Sequence, residues 1–204
     1  MSELERWQQR FASAPGYLFG TAPNAFLHGK ADLLKAKAPG RALAIADGEG
    51  RNGVFMAEQS LDVLSVDISP IAQDKARKLA KERGVALRTE LADLSTWAWP
   101  TAAFDVIVGI FFQFSGPSDR ASIFTGIKNA LKPGGLLLIH GYRPEQVKYG
   151  TGGPSDPARL YTRKLLEDAF SDFASLEITE HDDMMSEGTA HVGMAAVIDL
   201  VGRK

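Results

Sequence analysis

The chain contains no cysteine among its 204 residues, which excludes disulfide stapling, thiolate nucleophiles and cysteine-built metal sites together. It also lacks a charge excess: 23 Lys and Arg face 25 Asp and Glu, a formal net charge of −2 with a pI near 6.1. A dedicated nucleic-acid binder normally carries a basic excess or stripe, so polyanions are not expected partners. Long apolar runs are missing as well. No stretch reaches the roughly 18 apolar residues of a membrane span, and Met1 to Phe11 alternates charged with apolar residues where a secretory leader is continuously apolar. A soluble cytoplasmic protein is the expectation. Internal repeats, low-complexity tracts and linkers long enough to divide the chain into separate domains are absent too. Residues 1–204 therefore read as a single domain, with 1–40 a helical cap and 41–204 the core. The hydrophobic content of 45% is sufficient to build that core.

From Arg41 onward, apolar runs of strand length alternate with amphipathic segments of helix length, the pattern of a doubly wound α/β fold with a mostly parallel sheet. The predicted strands are Ala42–Ala46, Val63–Asp67, Leu87–Leu91, Val106–Ile110 and Leu136–His140, with helices at Arg51–Gln59, Pro70–Arg83, Asp119–Leu131 and Arg163–Phe170. Ser69-Pro70 supplies an N-cap followed by proline at the first helical position. Two further helices, Leu4–Phe11 and Asn24–Lys37, are expected ahead of the first strand. Leu176–Met184 and Val192–Val201 are strand-like runs with no helix between them, so the sheet should reach seven strands and finish in an antiparallel hairpin. The Pro- and Gly-containing stretch Tyr142–Pro157 reads as one long loop, either a lid over substrate or an ordered surface loop.

Ala46-Asp47-Gly48-Glu49-Gly50-Arg51-Asn52-Gly53 follows the first strand and opens a helix, with glycines at the G-x-G-x-x-G positions of a dinucleotide fingerprint. The charge argues for a different occupant. A pyrophosphate on a helix N-terminus needs amides and positive potential, whereas Asp47 and Glu49 flank these glycines. S-adenosylmethionine has no phosphate and presents a sulfonium and an ammonium, which an acidic loop attracts. Asp67, ending the second strand, is spaced to meet ribose hydroxyls or else caps the next helix. Asp93 in Ala92-Asp93-Leu94 can accept from an adenine amine while Leu94 covers the ring, or can cap a turn.

These residues, with Phe104-Asp105-Val106-Ile107-Val108, Leu131-Lys132-Pro133-Gly134-Gly135 and the terminal hairpin, resemble a class I S-adenosylmethionine-dependent methyltransferase from Ala42 to the C-terminus. Tyr17-Leu18-Phe19-Gly20-Thr21-Ala22-Pro23-Asn24 is similar to the N-terminal segment of the tellurite-resistance and thiopurine methyltransferase-like branch. The resemblance implies Gly48, Glu49 and Gly50 around the methionyl group, Asp67 and Ile68 at the ribose, Asp93 and Leu94 at adenine, and Phe111 beside the sulfonium. Ala44 and Ala46 depart from the family pattern, which often has an acid and a first glycine there. Asp47 or Glu49 is the available replacement for that acid.

Methyl transfer from a sulfonium is an in-line displacement that alignment and desolvation can largely support, so no obligatory acid–base pair is expected. Phe111-Phe112-Gln113-Phe114, Tyr142-Arg143, Tyr17–Asn24 and the hairpin should converge into an aromatic pocket for a small molecule. An Asn/Asp-Pro-Pro-aromatic motif for amide or base methylation is missing, as is a ligand set for a catalytic divalent metal. His191 and Arg143 are the substrate-side polar candidates. His191 lies near the hairpin turn, where the tellurite-resistance relatives place a histidine, and either orients or deprotonates a nucleophile or is simply solvated. Arg143 either pairs with an anionic substrate or holds the long loop. The eight acids from Glu167 to Glu187, with no Lys or Arg among them, read as a solvated sheet edge. Two other functions stay open at this level: a non-catalytic S-adenosylmethionine-binding protein, and an NAD(P)-dependent oxidoreductase, for which a Tyr-x-x-x-Lys pair is lacking.

Overall fold

The computed structural model describes residues 2–204; residue 1, at which the expected single domain begins, lies outside the described residues. Three helices precede the sheet: α1 (Glu3–Ser13), α2 (Ala25–His28) and α3 (Ala31–Lys35). The core then runs β1 (Arg41–Ile45), α4 (Arg51–Glu58), β2 (Asp62–Asp67), α5 (Pro70–Arg83), β3 (Arg88–Leu91), β4 (Phe104–Ile110), α6 (Pro117–Ala130) and β5 (Leu131–Tyr142). Short α7 (Gln146–Tyr149), a 3₁₀ turn and α8 (Arg163–Ala169) lead to the hairpin of β6 (Ser175–Glu187) and β7 (His191–Arg203).

The seven strands lie in the order β3-β2-β1-β4-β5-β7-β6, parallel from β3 to β5 and antiparallel where β7 meets both β5 and β6. The hairpin finish expected from the two apolar runs is therefore present. Both faces of the central strands are apolar because both are covered. Leu43, Ile107 and Leu137 pack with Ile123 and Ile127 of α6 on one side, while Ala42, Val106 and Leu136 pack with Leu27, Leu34 and Met56 on the other.

Local signals explain the helix that frames the site. Ser69 Oγ accepts from the Ala72 N–H at 3.3 Å, Pro70 opens α5, and Gly84 ends it at φ +68°, each at the position its chemistry favours. The expected helix over Asn24–Lys37 is instead two, so the N-terminal cap has three helices. The break falls at Gly29 and Lys30, where the Lys30 N–H bonds the Leu27 carbonyl three residues back and ends α2. Strand β5 also starts earlier than Leu136: Leu131 pairs with Phe104, and the register shifts before Val106 to absorb the Lys-Pro-Gly-Gly detour. The stretch Tyr142–Pro157 is an ordered loop containing α7. Gln146 accepts from the Ala196 N–H and donates to Thr151 and Gly152, fastening the loop to β7.

Gly50 (φ +86°) is required by packing, since a Cβ there would lie 2.5 Å from the Cβ of Ala76 on α5. Gly50→Ala should lose about 2–5 kcal/mol through combined backbone strain and overpacking, seen as a lower urea midpoint. Gly16→Ala, where an added Cβ meets nothing within 4 Å, should change stability by no more than about 1 kcal/mol.

Candidate active site

A cavity of about 400 Å³ opens at the carboxyl ends of β1, β2 and β4, where the strand order reverses. Helix α1 roofs it. The apolar stripe of α1 turns Trp7 and Phe11 inward, their rings stacked at 5.5 Å, and Phe19 completes the roof beside them. Phe11 lies over Gly48, whose missing Cβ would sit 3.3 Å from the ring edge.

The glycine loop is organised by its two acids, and neither is left waiting for a cation. Asp47 folds back over α4, accepting from the Gly53 N–H at 3.1 and 3.2 Å and from Ser65 Oγ at 2.8 Å. A side chain at residue 53 would collide with that carboxylate, which accounts for the third glycine. Glu49 leaves the cavity altogether. Its carboxylate pairs with Lys75 Nζ at 2.7 Å and accepts from the Leu18 and Phe19 N–H groups at 2.7 and 3.4 Å, while Lys75 also donates to the carbonyls of Phe11 and Gly16. Of the residues expected at the methionyl group, Gly48 therefore lines the cavity, whereas Glu49 and Gly50 shape it from behind.

Asp67, Ile68, Asp93, Leu94 and Phe111 all line the cavity. Asp67 accepts one backbone N–H on each oxygen, from Gly48 and from Ser69, both at 2.9 Å, and keeps a further lone pair on each for a ligand. Burial pushes its carboxyl up to about 6 and that of Asp47 up to about 7. Asp93 engages Ser95 through Oδ1 alone. Two non-glycine residues at the rim hold left-handed backbone, Ala46 at φ +46° and Phe111 at φ +53°, a strained conformation that clusters at functional sites.

His191 is buried in the cavity wall, not solvated. Its ring lies 4.6 Å from Phe19 and 4.5 Å from Phe111, and Nδ1 faces Glu187 Oε2 at 3.4 Å. Glu187, read from the sequence as part of a solvated acidic edge, is largely withdrawn from solvent, its side chain 10% exposed. It takes Arg51 Nη2 at 2.7 Å and Asn24 Nδ2 at 2.8 Å. Arg143 does not join the cavity; it pairs with Asp182 and Glu145 and holds the loop after β5. Phe114 lines the cavity while Phe112 belongs to the core. Trp7, Phe11, Arg51, Asn52 and Glu187 were not foreseen as site residues. The aromatic i, i+4 pair Trp7 and Phe11 was the available signal for the roof.

Residues 42–135 match a family described as a methyltransferase domain. A demethylmenaquinone methyltransferase from Thermus thermophilus is 31% identical over 115 residues, covering 55% of this chain and 52% of the relative. Both matches are to methyltransferases. The chain spans about half or less of the length of the curated relatives it matches. Among solved structures, one described by the conversion of a disulfide bond into a thioacetal group during echinomycin biosynthesis has a TM-score of 0.76 at 17% identity, covering 99% of this chain and 91% of that one. The Haemonchus contortus phosphoethanolamine N-methyltransferase 2, solved with phosphomonomethylethanolamine and S-adenosylhomocysteine, has a TM-score of 0.67 at 17% identity over 91% of this chain and 54% of its own. The fold is the Rossmann-like methyltransferase fold, and the cofactor product S-adenosylhomocysteine is the one bound in the Haemonchus structure.

The residues present suit that methyltransferase cofactor better than a dinucleotide. The Gly53 N–H in the first turn of α4 is taken by Asp47, and the Gly48 N–H by Asp67, so a diphosphate would meet carboxylates where it needs free amides. A phosphate-free adenosine finds open lone pairs on Asp67 and Asp93, and a sulfonium finds aromatic faces. The methionyl ammonium finds no acid at Ala44, which is buried in the core.

Because both carboxyls titrate above their ordinary value of 3.8, the native state holds more protons than the unfolded chain between about pH 4 and 7. Their contribution to stability is full below about pH 4 and is lost as pH rises to about 7. A ligand bound by the ionised carboxylates obeys the opposite sign. Calorimetric affinity for S-adenosylhomocysteine should therefore fall, by up to about tenfold per pH unit, as pH drops below about 6, and Asp67→Asn should flatten that dependence.

Proposed function

We propose that the protein transfers a methyl group from S-adenosylmethionine to a small molecule by in-line displacement without a metal. The observation that carries this reading is the carboxylate of Asp47 on the α4 amide, with Asp67 and Asp93 facing the same cavity. Asp67 would accept from the ribose hydroxyls, Asp93 from the adenine amine, and Ile68 and Leu94 would cover the base. Gly48 permits close backbone approach. Glu49 and Gly50 would act on the methionyl end indirectly, by fixing the loop, and Phe111 would wall the sulfonium. When bound, S-adenosylmethionine supplies a methyl carbon already activated by positive sulfur. The work left to the chain is to align the acceptor, exclude water and manage one proton.

The roof of Trp7, Phe11 and Phe19 supports the water-excluding part of this role, and a cavity of about 400 Å³, largely filled by a nucleoside of this size, supports a small acceptor. No group of three or more His, Asp or Glu side chains is arranged to hold a cation among the described residues. None of the described helices is long and apolar enough to cross a membrane. We place the chain nearest the tellurite-resistance and thiopurine methyltransferase-like branch on the Tyr17–Asn24 segment, and a cytoplasmic setting and a substrate other than nucleic acid belong to the same reading. Arg143 acts in it through the loop it holds.

Isothermal calorimetry with S-adenosylmethionine and S-adenosylhomocysteine tests the proposal. Both should bind, and Asp67→Ala should weaken binding by about 1.5–3 kcal/mol, the loss of charge-assisted hydrogen bonds. No heat with either ligand at millimolar concentration ends this reading, and saturable NAD(H) or NADP(H) binding would replace it. Binding with no turnover on any acceptor would leave a cofactor-binding protein without catalysis.

A further inference from the structure

Where the hairpin turns, four chain segments meet on one carboxylate. Glu187 at the end of β6 receives Arg51 from α4, Asn24 from the segment before α2, and His191 from the start of β7. Arg51 and His191 address the same oxygen, Oε2, at 2.7 and 3.4 Å. Nδ1 is the imidazole nitrogen on this carboxylate, so the proton sits on Nδ1 and the lone pair on Nε2. Nε2 has no hydrogen-bond partner among the described residues, and the ring lines the cavity between Phe19 and Phe111, with Tyr142 at 5.9 Å.

The surrounding charges decide what such an imidazole does. Glu187 faces it from the hairpin, Arg51 from α4 and Arg10 from α1, and the Tyr142 ring lies edge-on to it from β5. Burial holds the His191 pKa below its ordinary value, with the two arginines acting in the same direction and Glu187 against them, so the ring is neutral at pH 7. Against its own burial, Glu187 is held down to about 2 by His191 and Arg51 and stays ionised. Three of its four lone-pair sites are taken and it does not itself line the cavity, so it is not presented to an ammonium substrate. Beside it, the Asn52 side chain accepts from the Asn24 N–H through Oδ1 and keeps its amide N–H groups free of described partners. The wall thus offers one neutral base and unused amide donors inside aromatic surroundings, with Arg51 committed to Glu187 and to the Phe19 carbonyl, which suits a neutral acceptor that gives up a proton.

We propose that His191, oriented by Glu187, is the proton acceptor of the site, and that the substrate is a small neutral molecule carrying an O–H or S–H group on an apolar or aromatic frame. This rests on the methyl-transfer reading above. The acceptor's oxygen or sulfur lone pair attacks the methyl carbon and forms the new bond. The carbon–sulfur bonding pair of the sulfonium returns to its sulfur, and the acceptor's proton passes to Nε2, giving an imidazolium that Glu187 stabilises. Glu187 is a positioning residue in this scheme.

Phenol, 4-nitrophenol and benzylamine serve as probes with the full chain, read as S-adenosylhomocysteine formed. Both phenols should be methylated and the amine should not. His191→Gln should lower turnover of phenol by about 100-fold or more, yet lower that of 4-nitrophenol, which ionises unaided near neutral pH, by less than about tenfold at alkaline pH. Near-ultraviolet circular dichroism of His191→Gln and Glu187→Gln should match that of the parent, which shows that they fold. Imidazole nitrogen NMR, without any ligand, should find the Nδ1–H tautomer of His191 in the parent and its loss in Glu187→Gln. Preference for benzylamine, failure to methylate either phenol, equal losses on the two phenols, or an Nε2–H tautomer each overturns the proposal alone. Absence of S-adenosylhomocysteine binding to the parent chain overturns the methyl-transfer reading and this proposal with it.

Discussion

The buried ion pair between Glu49 and Lys75 is the contact on which the cavity depends. One ammonium holds the carbonyls of Phe11 and Gly16 together with the Glu49 carboxylate, which in turn holds the amides of Leu18 and Phe19. The glycine loop, α5 and the whole turn after α1 are thereby drawn to one point. Helix α1 is otherwise held by the packing of Phe11, which is buried over Gly48, and its far end is tied by Glu3 to Arg159 at 3.5 Å, a partly exposed pair of the kind that contributes roughly 0–1 kcal/mol. Glu49 is only 2% exposed at the side chain, and removing one member of a buried pair costs about 3–5 kcal/mol. The roof over the cavity is therefore fastened from the loop side, by an acid whose position in the sequence suggests contact with a ligand.

The same economy governs Asp47. An isolated carboxylate beside three glycines reads as an electrostatic lure, but the structure uses it as a cap. It satisfies a first-turn amide of α4 and links the loop to Ser65 on β2, which fixes where the loop's backbone stands. The consequence for ligand choice is sharper than charge alone implies. A helix N-terminus with a first-turn amide already satisfied by an internal anion is a poorer site for phosphate. Left-handed backbone at Ala46 and Phe111, one on each side of the β1/β4 crevice, shows that the chain accepts local strain to keep both rims in place.

What could be read from the sequence was whatever depends on neighbours a few residues away. Apolar periodicity located the strands, the Ser69-Pro70 cap and Gly84 fixed both ends of α5, and the lack of a helix between the last two runs required a hairpin. Cavity residues set by strand ends, namely Asp67, Asp93, Leu94 and Phe111, were legible for the same reason. Side-chain partners were not. Arg51 and Glu187 are separated by 136 positions and Asn24 and Glu187 by 163, and no local pattern encodes such a meeting. Glu187 was hidden further by its company, since seven other acids precede it from Glu167 onward, four of them on the exposed edge strand β6. The break between α2 and α3 was missed because an isolated glycine inside an apolar helical pattern is tolerated and does not by itself mark an end.

The hairpin shows why one composition can serve two purposes. Strand β6 is the sheet edge, and its acids along most of its length sit in water, where charge discourages another strand from adding. At the tip the surroundings invert. Thr189 donates its N–H to the Leu18 carbonyl at 3.0 Å, seating the turn on the segment after α1, and that contact carries Glu187 and His191 out of solvent and under the aromatic roof. A carboxylate brought there alone would be expelled or protonated. It persists because Arg51, from the helix opened by the glycine loop, arrives at the same place. The polar wall of the cavity is consequently complete only when the loop, the N-terminal segment and the hairpin are all docked, so the proton-handling side of the site and the cofactor side belong to one assembly rather than being independent additions to a common fold.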